Sequence, residues 1–338
     1  MTSSSLTSTA HLHPGARAVG YWLFMMAVLV AMMVVIGGIT RLTGSGLSMV
    51  EWRPLMGVLP PLTEAEWMRV FGLYQQSPEY KDINFGMSLG EFKTIFFWEY
   101  VHRVWGRLLG VAFILPLIWF LARKMVPQGY GVRLCGLMVL GGVQGVIGWW
   151  MVTSGLVDNP AVSQYRLSVH LTMALIIFVL LIWTGLNLTS GRSSLPSGHS
   201  AGSLVLLMVT IIAGAFVAGL DAGLLYNEYP LMGEGLVPVE YLEEGWADPF
   251  ENPASAQFHH RWLAALTVLA LVALAFRGYK RGYYREASLL GLFVCGQFAL
   301  GLTTLLLGVP LWAGVMHQAG AVLLLGSAVF TAHRMSRG

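Results

Sequence analysis

Eight stretches of the chain are continuously apolar and long enough to cross a bilayer as helices, which takes about 20 residues. They run over roughly 19–39, 95–122, 132–153, 165–188, 202–221, 258–276, 287–308 and 311–333. The runs do not alternate apolar with polar positions, which excludes a membrane β-barrel. Gly308-Val309-Pro310 leaves room only for a tight hairpin between the last two. The pattern predicts an all-α integral membrane protein of eight transmembrane helices, with both ends of the chain on one side. Two long polar segments, about 41–94 and 222–257, fall on the other side. Both are expected to fold over that face as short amphipathic pieces.

Composition agrees. Hydrophobic residues make up 56% of the 338 positions and charged ones 11%, against roughly 25% charged in a soluble domain. The lipid bilayer is thus the first partner, and nothing points to nucleic acid. Arg17, Arg123, Lys124, Arg133, Arg192, Arg277, Lys280, Arg281, Arg285, Arg334 and Arg337 lie on the side of the termini, with Glu286 the only acid there. By the positive-inside rule both termini are cytoplasmic. Residues 1–18 form a polar tail without signal-peptide or acylation features. Cys135 and Cys295 both lie in apolar runs, so no disulfide framework is read. The second long loop is rich in acids and lacks Lys and Arg; a solvated face is the simplest reading of it.

The chain repeats itself. Gly46-Leu47, Glu51 and Pro54-Leu55-Met56-Gly57, after the first span, match Gly223-Leu224, Glu228 and Pro230-Leu231-Met232-Gly233, after the fifth. Gln144 and Gly148 on span three match Gln297 and Gly301 on span seven. His102-Arg103 matches His260-Arg261, and His170 on span four matches His317 on span eight. Both copies start from the same side, so the expected arrangement is two four-helix bundles related by a pseudo-twofold axis along the membrane normal. The first bundle covers 19–190, a linker 191–201, and the second bundle 202–338.

His102, His170, His260 and His317 all fall near the non-cytoplasmic ends of even-numbered spans, one pair per bundle. Ionisable groups inside spans are rare and usually functional. Two imidazoles per bundle, with no carboxylate or thiolate cluster, fit a bis-histidine haem between helices rather than a four-ligand zinc site. His11, His13, His199 and His333 are read as solvated, and His259 as a neighbour of His260 turned toward another helix or the interface. Arg103, Arg107 and Arg261 are candidates to hold haem propionates, which arginine binds in bidentate fashion; Arg41 and Arg166 are weaker ones. The bundles differ at one place. Glu99 stands three residues before His102, whereas Gln257 stands three before His260. Only the first site therefore has a carboxylate for acid–base or charge-stabilising work. Its simplest other role is that of an interfacial residue or an ion-pair partner of Arg103 or Arg107.

The stretch GGITRLTGSGLSMVEWRPLMGVLPPL, followed by PEYKDINFGMSLGEFKTIFFWEYVHRVWGR, resembles the haem A synthase family in its proteobacterial and mitochondrial form, as do FHHR, SVHLTMAL and VMHQAG in the same order. The resemblance covers nearly the whole chain from about residue 18. It implies oxidation of the ring-D methyl of haem O to a formyl by successive hydroxylations, giving haem A for cytochrome oxidase in the bacterial inner membrane. His260 and His317 would then ligate a prosthetic haem b, His102 and His170 would bracket haem O, and Glu99 would be the essential carboxylate. The haem O synthase and oxidase assembly factors are the implied partners. Some family members carry a cysteine pair in the first long loop; residues 40–95 here contain none, so no thiol relay operates there. The spans and paired histidines also suit a dihaem b-type membrane electron carrier linked to quinone, against which Glu99 and the first-loop motif argue.

Overall fold

The computed structural model describes residues 13–51, 59–156, 160–191, 193, 195–243 and 245–337. Parts of several sequence features, including His11, Arg192 and the Pro54–Gly57 copy of the repeated motif, lie outside these residues. The eight long helices are α1 (Ala16–Leu42), α4 (Leu89–Ala122), α5 (Gly131–Val152), α6 (Gln164–Ser190), α7 (Gly198–Gly219), α9 (Pro253–Lys280), α10 (Tyr284–Leu306) and α11 (Leu311–Met335). All eight are long and apolar enough to cross a membrane. Among the described residues there is no strand, only an isolated bridge between Met232 and Gly235.

The first long segment holds α2 (Glu64–Tyr74) and α3 (Pro78–Asp82), and the second holds α8 (Asp248–Glu251) with two short 3₁₀ turns. Local chemistry sets where these pieces start. The Thr63 hydroxyl caps α2, Ser77 caps α3 ahead of Pro78, and Ser88 with Glu91 forms a capping box on α4, each satisfying helix N–H groups that otherwise have no partner. That box starts α4 six residues before the apolar run, so the helix stands out of the bilayer. At the far end of the chain, Gly308 (φ 69°) and Val309 (φ 55°) turn α10 into α11.

Helix α1 packs on α4, α6 and α11; α5 bridges α4 and α6; α6 also meets α7 and α11. In the second set, α9 lies between α7 and α10, and α11 meets α10 and α7. The core is drawn from Trp22, Leu23 and Met26 of α1, Phe113 and Leu117 of α4, Phe178 and Leu181 of α6, and Leu325 and Val329 of α11. Large apolar side chains such as Leu108, Val111, Leu115 and Ile118 face outward, which suits lipid and would be a liability in water.

Two histidines differ from expectation. His333 is fully buried in α11 rather than solvated; its Nε2 lies 2.9 Å from Asn187 Oδ1 and its ring packs edge-on to Trp183. The helix runs on to Met335, and its last turn carries the ring inward. His199 is likewise half-buried in the first turn of α7, not in a loop.

Over the long-loop face, Phe71, Tyr74, Phe92 and Phe96 form a second small core. Beside them Glu79 is buried, accepting from the Tyr74 hydroxyl at 2.9 Å, while Asn84 donates to that same hydroxyl at 2.7 Å. Burial raises the Glu79 carboxyl from 4.5 to about 7; the Tyr74 donor opposes this, and the negative charge of Glu99 adds to it. A folded-state value above the unfolded one favours the protonated fold, so stability is full at low pH and falls as pH rises through this window, by up to about 3 kcal/mol. Glu79→Gln should remove that loss. Its thermal midpoint in detergent should exceed that of the parent by more at about pH 8 than at about pH 5; an equal difference at both would show that Glu79 does not titrate there.

Candidate functional site

The four membrane histidines lie on α4, α6, α9 and α11, and each meets a glycine on a neighbouring helix. His102 lies against Gly37 of α1, His170 against Gly148 of α5, His260 against Gly214 of α7 and His317 against Gly301 of α10. A methyl group built on Gly148, Gly214 or Gly301 would stand 2.9 Å from the imidazole Cε1, and one on Gly37 would stand 3.0 Å away. Side-chain atoms do not approach that closely, so any larger residue would displace the ring. The glycines fix a common pose, with the Nδ1–Cε1 edge turned against a helix backbone.

The Nδ1 contacts reinforce it. His260 Nδ1 lies 3.0 Å from the Thr210 carbonyl. His317 Nδ1 lies 3.1 Å from Gln297 Nε2. His170 Nδ1 lies 3.1 Å from Gln144 Nε2, which is 3.5 Å from the ring's Nε2. His102 Nδ1 is buried without a partner. In His260 and His317 it is Nδ1 that is engaged, which leaves Nε2 for a ligand. The His260 and His317 rings face each other with centroids 6.5 Å apart and planes at 88°. Metal–imidazole bonds are about 2 Å and ring nitrogens lie roughly 1 Å from their ring centres, so two axial imidazoles on one metal place their centroids about 6–6.5 Å apart. This pair therefore fits a bis-histidine haem. His102 and His170 lie close enough to interact electrostatically. Among the described residues no group of three or more His, Cys, Asp or Glu converges on a point.

Beside each pair an arginine staples a loop to a helix. Arg103 donates to the carbonyls of Met49 (2.8 Å) and Glu51 (3.1 Å), and Arg261 donates to those of Tyr226 (2.5 Å), Glu228 (2.9 Å) and Leu231 (3.1 Å). Glu51 and Glu228 are matched positions of the repeat, as are Met49 and Tyr226. One helical turn before each arginine stands its side-chain partner: Glu99 at 2.5 Å from Arg103, and Gln257 Oε1 at 3.0 Å from Arg261. Glu99 is almost wholly buried and also accepts from the Ser48 hydroxyl and the Met49 N–H, both at 2.7 Å. Gln257 instead donates through Nε2 to the Ala222 carbonyl at 2.9 Å. The frames match, and the charge differs.

A family description, Cytochrome oxidase assembly protein (COX15-CtaA), matches residues 20–329. The chain belongs to this family. Relatives include the Heme A synthase of Parvibaculum lavamentivorans, 45% identical over 327 residues and covering 95% of each chain. Those of Sphingopyxis alaskensis and Rhodospirillum centenum are 42% and 44% identical, covering 100% and 98% of this chain and 98% and 93% of their own. For a COX15-CtaA protein, the geometry above shows which side chains surround the paired imidazoles.

Of the residues singled out from sequence, Glu99, His102 and Arg103 come together, and so do His260, His317 and Arg261. Arg107 lies one turn beyond Arg103, half-buried. Arg41 and Arg166 are engaged elsewhere: Arg41 pairs with Asp221 at 2.9 Å, and Arg166 donates to the Trp150 carbonyl at 2.8 Å and lies over its ring. His259 turns to the second long loop, its Nδ1 2.7 Å from the Ser255 carbonyl and its ring against Tyr241. Sequence reasoning missed Gly37, Gly214 and Thr210. A glycine at the same offset before Glu51 and before Glu228 was the available signal for the first two.

Filling one of these glycines should act on the facing histidine alone. Overpacking costs about 1–3 kcal/mol, so Gly301→Ala should lower haem bound at the His260–His317 pair several-fold, read from the pyridine haemochrome per chain. Gly72→Ala, with open space around it, should leave haem content unchanged. Equal haem in all three proteins would refute the contact.

Proposed function

We propose that this chain is a haem A synthase, oxidising the ring-D methyl of haem O to the formyl of haem A for cytochrome oxidase. One observation supports this beyond the similarity to named relatives: two imidazole pairs share a glycine and arginine frame, yet only the first includes a carboxylate. In this reading the first four long helices, with their loop, form the substrate bundle. The last four form a second bundle, related by a pseudo-twofold axis, that holds a resident haem b through His260 and His317. Haem b supplies one-electron redox chemistry when bound. The protein sits in the bacterial inner membrane with both termini in the cytoplasm, as its terminal-side excess of Arg and Lys suggests. Haem O synthase and oxidase assembly factors are the partners proposed for delivery and use.

The chain's own residues do three things. His102 and His170 bracket haem O through Nε2 and orient the ring. Arg107, and Arg261 through its buried and unpartnered Nε, face the propionates, with Arg103 adding its charge while its N–H groups hold the loop. Converting methyl to formyl with oxygen from water releases four protons and four electrons; the electrons pass to an external acceptor, and positive charge develops near the reacting carbon. Glu99, fixed by three donors, is a preorganised acceptor for that charge or for a proton from water. A pure electron carrier would need no such difference between its two sites.

The second half supplies its own control for a test. Gln257 shows that an amide accepts from the clamping arginine, so Glu99→Gln should fold, keep haem b and stall before haem A. Pigment extraction should show haem A falling by more than tenfold. Full haem A production would refute the role of Glu99. His260→Ala and His317→Ala should each lose haem b; a normal bis-histidine spectrum in both would refute the ligand assignment.

A further inference from the structure

Gln144 on α5 and Gln297 on α10 occupy matched positions, and the chemistry above uses neither. In each, Nε2 lies 3.1 Å from Nδ1 of the histidine on the next helix. Each also donates to that histidine's own backbone carbonyl, at 3.0 Å for His170 and 2.9 Å for His317. The amide oxygen Oε1 of each glutamine is buried and has no partner. A buried acceptor without a donor is costly, and native interiors rarely keep one without a reason. Here the same orphan occurs twice, four residues before a glycine that fixes the facing ring.

An imidazole that gives Nε2 to a metal keeps its proton on Nδ1 and needs an acceptor there. His260 has one, the Thr210 carbonyl. His170 and His317 have an amide in that place, with the nitrogen nearest the ring. The two ends of an amide are nearly the same shape, and its orientation follows the hydrogen bonds on offer. Turning the amide about its last bond gives Nδ1–H an acceptor and Oε1 a donor; the bond from Nε2 to the histidine's own carbonyl is given up, and the amide must tilt so that Oε1 clears that carbonyl oxygen.

We infer that Gln144 and Gln297 are positioning residues for the axial imidazoles His170 and His317. Each accepts Nδ1–H through Oε1 when Nε2 is bound to iron, and so sets both the ring's orientation and its strength as a ligand. The inference rests on the reading of His260 and His317 as the haem b pair. The partner on the far side of an axial histidine tunes the metal it holds. A stronger acceptor makes the imidazole a better donor and stabilises ferric iron; no acceptor does the reverse.

The test is the haem b midpoint potential and ferric EPR signature of the purified, haem-loaded protein. Gln297→Glu should lower the potential and Gln297→Leu should raise it. Gln144→Leu should leave the haem b potential where it is but weaken uptake of added haem O several-fold. Opposite shifts from the two Gln297 variants are something general damage to the helix would not produce. Should Gln297→Leu lose its haem, the sign given by Gln297→Glu decides. Unchanged potential and g-values in Gln297→Glu, with bis-histidine haem b present, would overturn the inference. A parent protein with no haem b at all would instead overturn the assignment of the pair on which it rests.

Discussion

The site depends on one steric fact: an imidazole edge can lie against a neighbouring helix only where that helix has no side chain. Four glycines supply that condition, one for each histidine, on α1, α5, α7 and α10. Glycine in a helix interior costs about 1 kcal/mol relative to alanine, and a membrane helix tolerates it because the absence of water keeps backbone hydrogen bonds intact. What the glycine permits is a ring held by its Nδ1–Cε1 edge. The Cε1 atom is then the part of the ring nearest the helix that carries the glycine. Held in this way, the His260 and His317 rings lie 6.5 Å apart with near-perpendicular planes.

The second constraint is the arginine clamp. Long loops crossing the membrane surface have backbone carbonyls that must find donors. Arg103 and Arg261 provide them at matched loop positions, which ties each loop to the helix bearing a histidine. In the first half the clamp includes an ion pair with almost no exposure. Breaking such a pair by removing one partner is costly, whereas keeping it contributes little net stability. The proposed role of Glu99 beside His102 gives a reason for a carboxylate at a place where net stability does not call for one. That Gln257 serves the same clamp without charge makes the argument internal to the molecule.

Much of this was legible in the sequence, for identifiable reasons. The eight spans follow from the length of apolar run a bilayer demands, and all eight exist. Their ends are less legible because caps decide them: Ser88 and Glu91 carry α4 well beyond its apolar stretch. The histidine pairs could be read because the repeat shows them twice, and Gln144–Gly148 and Gln297–Gly301 because four residues is one helical turn. Gly37 and Gly214 were not read, since the rings they meet are on other helices and no local spacing connects them. His333 was mistaken for a solvated residue because polar residues follow it, while helix α11 in fact rotates it onto Trp183 and Asn187. The burial of Glu79 depends on rings from α2 and α4 and has no local signature.

The two imidazole pairs share one frame. Where Glu51 and Glu228, Arg103 and Arg261, and the four glycines correspond, the requirement is geometric: hold a loop, hold a ring, expose Nε2. None of those tasks requires a charge on the residue one turn before the arginine, since the arginine donates to an amide oxygen in one half and to a carboxylate in the other. That position is consequently the one place in the frame where a change of charge leaves the geometry standing. A difference placed there alters the chemistry around one imidazole pair without moving it, and Glu99 opposite Gln257 is that difference.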